Sequence, residues 1–160
     1  VNLHLDKVRF PDGQIIPEYH LIDIQIEAVG VIVTDEEQRL LMVRAYRYPT
    51  DSVDWEIPAG GIDPGEDPIQ AGVREVREES GVEINLPEYL YRFHPMNGSC
   101  NKVFHLVRAQ ARTAGTDTFD RNEIAETAWF DQESVRQMLA ENAINDGYTL
   151  AALLWVLGSV

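Results

Sequence analysis

The chain reads as an α/β (α+β) protein in which a mixed β-sheet is sandwiched between helices, and three observations predict it. Short apolar runs with strand spacing recur along most of the chain. Helical patterns fall at 68–80, 132–142 and 148–157, and turn residues separate the two kinds of segment. With 160 residues, 44% of them hydrophobic and 25% charged, the chain fits one domain over 1–160 with an adequate core. No repeat, low-complexity tract or linker divides it.

The elements follow in order. Leu3, Leu5 and Val8 lead into Pro11, Asp12 and Gly13, after which 15–24 extends again, so residues 1–24 predict a β-hairpin. Strands are expected at 26–33, 40–46 and 55–57, with Asp35 to Gln38 as a polar turn between the first two. The helix at 68–80 has its own punctuation: Asp67 is a capping residue, Pro68 belongs in a first turn, and Gly81 suits the left-handed stop. At about 3.6 residues per turn, Ile69, Val73, Val76 and Ser80 form one stripe, and Glu75, Glu78 and Glu79 another. Strands at 89–93 and 103–109, a polar loop at 113–122 and a strand at 127–130 come next. Asp131 then caps a helix at 132–142, and an apolar helix at 148–157 ends the pattern.

Charge and cysteine content exclude several functions. A formal charge of −14, from 27 acidic and 13 basic residues, opposes a phosphate-tracking nucleic-acid binder or an anionic-membrane surface. A small anionic substrate would need a metal and local arginines. Cys100 is the single cysteine, which precludes an intrachain disulfide and suits a reducing compartment. The amino terminus has no basic region followed by an apolar stretch, and the apolar run LAALLWVLG is too short to span a bilayer, so a cytoplasmic protein is expected.

The acidic stripe carries the chemistry. Glu75 and Glu79 are four residues apart, so their charges oppose the helix by roughly 0.2–0.5 kcal/mol unless a cation sits between them. Mg²⁺ suits a few carboxylates supplemented by water and phosphate oxygens. Arg74 and Glu78 are also four apart and Glu66 lies just ahead, so an ion-pair brace around Arg74 is expected, with Arg74 architectural.

Gly60, Glu66, Arg74, Glu75, Val76, Glu78, Glu79, Gly81 and Val82 together fill the pattern Gly-x5-Glu-x7-Arg-Glu-aliphatic-x-Glu-Glu-x-Gly-aliphatic with no fixed position missing. In this segment, 60–82, the chain resembles the Nudix hydrolases. The resemblance implies the Nudix fold and metal-dependent hydrolysis of a nucleoside diphosphate derivative. Glu75 and Glu79 are then direct ligands of Mg²⁺, or of Mn²⁺ in its place. Glu78 is a ligand, a neighbour of the ligands or a catalytic carboxylate, and the Ala59 carbonyl is a further ligand. Gly60, Glu66, Arg74 and Gly81 support the box.

The segment VRAYRYPTDSVDWEIPAGGIDPGE is similar to the ADP-ribose pyrophosphatase group, in which a strand bearing arginines precedes Glu-x-Pro-Ala-Gly. That similarity implies phosphate binding by Arg47 and Arg44, and Glu56 as acceptor for a substrate hydroxyl or amine. It also implies a homodimer through the 1–24 hairpin, with Tyr19, Tyr46 and Tyr48 as stacking residues or simply packing. HPMNGSCNKVFHL resembles the group's Pro-containing loop, but Cys100, Asn101 and Lys102 stand where many relatives carry an acid. His94 and His105 are substrate contacts or, more commonly for such residues, structural. The general base is expected from the loop before the last strand, Glu123 first and Glu126 next, ahead of Asp120 and Asp117.

The leading expectation is conversion of ADP-ribose to AMP and ribose 5-phosphate. The alternatives are another sugar nucleotide, a dinucleoside polyphosphate or a nucleoside triphosphate, and, from a different class, a catalytically silent nucleotide-binding module. A silent module is expected to have lost box glutamates, and none is lost here.

Overall fold

A computed structural model describes residues 1–113, 115 and 124–158. Strands β1 (Asn2–Arg9) and β2 (Ile15–Asp23) form an antiparallel hairpin of their own, turning at Gly13 with φ +91°. The main sheet contains β3 (Ala28–Thr34), β4 (Leu40–Arg47), β5 (Ser52–Glu56), β6 (Ala59–Gly61), β7 (Ile84–Phe93), β8 (Phe104–Ala111) and β9 (Ile124–Phe130). Helices are α1 (Pro68–Ser80), α2 (Gln132–Ala140) and α3 (Gly147–Gly158). The main path runs β5-β4-β3-β8-β7, with β6 on β3 and β9 on β4. The β3–β8 pair is parallel and the other pairs are antiparallel, so the sheet is mixed as the sequence predicts.

Side-chain alternation along the central strands builds a core on each face. Ile32, Leu40, Met42, Phe104 and Leu106 point toward α2 and α3 and pack with Val135, Ala152 and Leu153. Val29, Val31, Val33, Leu41 and Val107 point the other way, onto Ala71 and Val76 of α1. A smaller cluster, Val43, Ala45 and Ile124, closes the β4–β9 end. Among the described residues, no helix is long and apolar enough to cross a membrane.

Several elements differ from the sequence reading, among them β5, which begins at Ser52 rather than 55. β7 begins at Ile84 rather than 89 and carries register shifts at Asn85/Glu88 and Tyr89/Tyr91, which break the alternation that reveals a strand. β9 likewise begins at Ile124, so the first half of an expected loop-to-strand passage is already paired to β4. β6 is absent from the sequence expectation because Ala-Gly-Gly has no strand signature. Its pairing of Ala59 with Gly30 and of Gly60 with Val29 comes from tertiary context.

Candidate active site

Local chemistry fixes α1 at both ends. The Asp67 carboxylate accepts the N–H groups of Ile69 at 2.8 Å and Gln70 at 3.0 Å. The Gln70 side chain in turn accepts the Asp67 N–H at 3.1 Å, completing a capping box. Gly81 closes the helix in the left-handed conformation at φ 66°, its N–H donating to the Arg77 carbonyl at 2.9 Å.

The packed face of α1 differs from the expected stripe. Ala71, Gly72, Glu75, Val76 and Ser80 are buried, whereas Val73 is 38% exposed. The reason is Gly72: a Cβ there would lie 2.8 Å from Val31 Cγ2, so the missing side chain lets the helix press onto β3 at this point. The buried arc is therefore rotated toward the acidic residues, and Glu75 lies within the packed face, not on a separate one.

Arg74 organises the carboxylates. Its Nε and Nη2 donate to the two oxygens of Glu66 at 3.0 and 2.9 Å, and Nη1 donates to Glu75 Oε1 at 2.6 Å and Glu78 Oε2 at 3.2 Å. Nη2 also donates to the Gly61 carbonyl at 2.8 Å, which ties the helix to the loop before it. The expected brace is thus present, and these carboxylates hold the guanidinium pKa well above its ordinary value. Hydrogen bonding from Arg74 holds Glu66 below the usual carboxylate range. Glu78 is the exposed member of the group.

Glu75 and Glu79 are the two partly desolvated carboxylates of α1. Burial pushes Glu75 up despite Arg74, and it pushes Glu79 up to about 8 despite the Ala59 N–H, which donates to Glu79 Oε2 at 2.9 Å. Each retains one carboxylate oxygen without a hydrogen-bond donor among the described residues. Gly60 packs directly on Glu75: a Cβ there would meet Glu75 Cδ at 2.2 Å. Two partly desolvated carboxylates beside a backbone loop are a hard-oxygen donor set suited to an ion that retains water. Among the described residues, no three His, Cys, Asp or Glu side chains converge into a ready-made metal cage.

The outer side of that loop faces a cleft of about 790 Å³ lined by Ala59, Gly60, Gly61, Arg47, Glu56 and the start of α3. Arg47 Nε and Nη2 grip Glu56 with a shortest contact of 2.6 Å. The Glu56 side chain is only 4% exposed and that of Arg47 46%, so the acid is the buried anchor and the guanidinium reaches the opening. Burial pushes Glu56 up, and its hydrogen bonds hold Arg47 up. With both oxygens engaged by Arg47, Glu56 orients the arginine.

Other expected residues fall elsewhere. Arg44 is outside the lining of the cleft, 3.5 Å from Glu126 and 6.0 Å from the centre of the Trp55 ring. Glu123, Asp117 and Asp120 lie outside the described residues. His105 is buried between Tyr89 and Glu27 at 3.0 and 2.6 Å, and His94 contacts the Lys102 carbonyl at 3.2 Å. The Tyr19 hydroxyl donates to the Gly98 carbonyl, Tyr46 meets Asp51 at 3.1 Å, and Tyr48 is exposed.

Sequence reasoning missed the far wall of the cleft. Phe104 stacks on Tyr148 with ring centroids 4.0 Å apart, and Asp146 caps α3 by accepting the Thr149 N–H at 2.7 Å. Thr149 itself accepts the Ile57 N–H at 3.0 Å, joining α3 to the segment just before the loop. Asp-Gly ahead of the apolar run at 148–157 was the available signal for that cap.

Comparison with known proteins gives this geometry its context. The family model described as the NUDIX domain matches residues 25–153. The chain is 30% identical to CMP-5'-(N-acetyl-N-hydroxy-3-aminopropyl)phosphonate hydrolase of Streptomyces rubellomurinus, over 94% of this chain and 72% of the relative. It is also 30% identical to the methanol dehydrogenase activator of Bacillus methanolicus, over 98% and 84%. Identity to an ADP-ribose pyrophosphatase of Bacillus subtilis is 23% over 98% and 84%. A solved ADP compounds hydrolase superposes with a TM-score of 0.80 at 20% identity, covering 99% of this chain and 91% of the other, and shows the fold. The box, its Arg74 brace and the matched model together establish that the chain belongs to the NUDIX family, as a Nudix hydrolase resembling the ADP-ribose pyrophosphatases.

Proposed function

We propose that the protein hydrolyses the pyrophosphate bond of a nucleoside diphosphate derivative, with ADP-ribose as substrate and AMP and ribose 5-phosphate as products. The observation that carries this reading is the pair of partly desolvated carboxylates, Glu75 and Glu79, each with one uncommitted oxygen, behind the loop that floors an arginine-bearing cleft.

In this reading Glu75 and Glu79 hold the ion, with the Ala59 carbonyl as a further ligand and Glu78 at the edge. A bound Mg²⁺, or Mn²⁺ in its place, polarises phosphoryl oxygens and lowers the pKa of a water. Arg47, aimed by Glu56, binds the diphosphate and withdraws charge from it. The water oxygen forms a bond to phosphorus, the bridging oxygen leaves with the other phosphate, and the water's proton passes to a carboxylate, Glu123 or Glu126. Arg44 acts through Glu126, which it holds beside β4. Gly60, Glu66, Arg74 and Gly81 keep the box in shape.

The protein works in the cytoplasm as a homodimer of single-domain chains. The exposed hairpin residues Leu3 and Leu5 support pairing between copies. A second reading retains the chemistry and changes the substrate to another nucleotide derivative. The 30% identity to a hydrolase of a CMP-linked phosphonate favours it.

Incubation with Mg²⁺ and a panel of ADP-ribose, other sugar nucleotides, dinucleoside polyphosphates and nucleoside triphosphates, with products identified by mass, separates the two readings. ADP-ribose converted fastest, together with loss of turnover in Glu79→Gln, is the expected result. Preference for a different panel member would move the assignment to the second reading, and full activity in Glu79→Gln would remove the metal site.

A further inference from the structure

Two cations line the cleft, and they differ in their bonding. Arg47 is matched by the buried Glu56. Lys102, on the segment leading into β8, is half-buried in the lining of the same cleft, and among the described residues it has no ion-pair partner. Its ammonium donates to the Ile26 carbonyl at 2.6 Å and otherwise faces the cleft. Burial lowers its pKa, and the charge of Glu27, which pairs directly with His105 instead, offsets that only in part.

The backbone that carries it is tied down from both sides. Asn101 accepts the Ile24 N–H at 2.7 Å and donates to Asp23 at 2.5 Å; Ser99 accepts the Ile22 N–H at 2.8 Å. The Lys102 N–H itself donates to Cys100 Sγ at 3.2 Å. A lysine is ordinarily a flexible point charge. Here its stem starts from a fixed position, so its charge is presented at one place in the cleft.

We infer that Lys102 is a specificity-determining residue that binds a phosphate or phosphonate oxyanion of the substrate, in the same cleft as Arg47. This rests on the hydrolase reading only in taking the cleft as the substrate's seat. A half-buried cation facing an open cleft in a protein of formal charge −14 gains an uncompensated partner when an oxyanion enters. The oxyanion comes either from the diphosphate or from an acidic substituent on the group linked to it.

Calorimetry distinguishes these sources in the Mg²⁺-loaded full chain. The ligands are the non-hydrolysable α,β-methylene analogue of ADP-ribose and the same analogue with one more phosphate on its distal ribose. Lys102→Met is expected to bind roughly 10- to 100-fold more weakly than wild type, the usual effect of losing one charge-assisted hydrogen bond, while Lys102→Arg retains binding. Equal loss for both analogues assigns the contact to the diphosphate. Loss confined to the analogue with the added phosphate assigns it to the distal group. Unchanged affinity of Lys102→Met for both would overturn the inference, as would weakening by Lys102→Arg equal to that by Lys102→Met at unaltered Tm. Turnover of ADP-ribose by wild type is measured alongside, so a wild type that binds through Lys102 but does not hydrolyse ADP-ribose would defeat the ADP-ribose assignment and leave this one standing.

Discussion

Substituting Gly60 by alanine tests the site at its narrowest point. The added Cβ would lie 2.2 Å from both Cδ and Oε1 of Glu75 and 2.4 Å from Oε2. Such distances cannot persist, so one partner must move. The obstructing atoms are the end of a flexible side chain, so the backbone stays and the Glu75 carboxylate leaves. Its departure breaks the 2.6 Å bond to Arg74, while Arg74 keeps Glu66, Glu78 and the Gly61 carbonyl. Losing one charge-assisted bond of a braced arginine costs about 1–2 kcal/mol. At about 2–4 °C per kcal/mol for a chain of this size, Tm falls by roughly 2–8 °C. The larger effect is on the ion, because one of the two proposed carboxylate ligands would be displaced, and Mg²⁺ affinity is expected to drop roughly 10-fold or more. Gly61→Ala is the matched control: its Cβ would meet only Ile26 Cγ2 at 3.3 Å, a contact relieved by a small shift. Thermal unfolding and Mg²⁺ titration of both variants give the answer. Wild-type Mg²⁺ affinity in Gly60→Ala, or equal loss in Gly61→Ala, would refute the reasoning.

Three further outcomes follow from the same contacts. Arg47→Ala leaves the buried Glu56 carboxylate unpaired and should lower stability by about 2–4 kcal/mol in neutral solution, less in acid, where Glu56 is relieved by protonation. Adding Glu56→Gln should recover much of that loss in urea unfolding, and a double variant no more stable than the single one would contradict the account. Glu79, pushed up to about 8 from an ordinary 4.5, binds its proton more tightly folded than unfolded, so metal-free stability should decline as pH rises through that window. The bound is about 5 kcal/mol, and Mg²⁺ should restore stability increasingly toward the alkaline end. A constant separation between the Tm–pH curves with Mg²⁺ and with chelator would count against it. Asp67→Ala removes the acceptor of two helix N–H groups and should cost about 0.5–2 kcal/mol, read by chemical denaturation.

How far the sequence could be read depended on whether a residue's role is set by its neighbours in the chain. Asp67, Pro68 and Gly81 act within one helix, and the Arg74–Glu78 arm of the brace joins positions an α-helical turn apart, so their spacing announced them. The helix face could not be read that way. The stripe at Ile69, Val73, Val76 and Ser80 follows from periodicity alone, whereas the true face is set by the absence of a side chain at Gly72 against Val31 of a different element. The same limit applies to the cleft. Arg47 was visible as a strand arginine, but the β4–β5 ladder sets Glu56 opposite Val43 and Arg47 opposite Ser52, so the contact by which Glu56 anchors it is made by tertiary folding across nine positions of sequence and not by strand register. Lys102, Phe104 and Tyr148 meet because β3 and β8 run parallel and α3 returns over their ends, and no local pattern records that return. The box therefore reports the chemistry from sequence, while the residues that choose among substrates are assembled by topology. Relatives can share the first and differ in the second. Lys102 belongs to the segment Cys100–Lys102 that departs from the acid many relatives carry there, and on the inference above it is a change that would alter the substrate without disturbing the carboxylates behind Gly60.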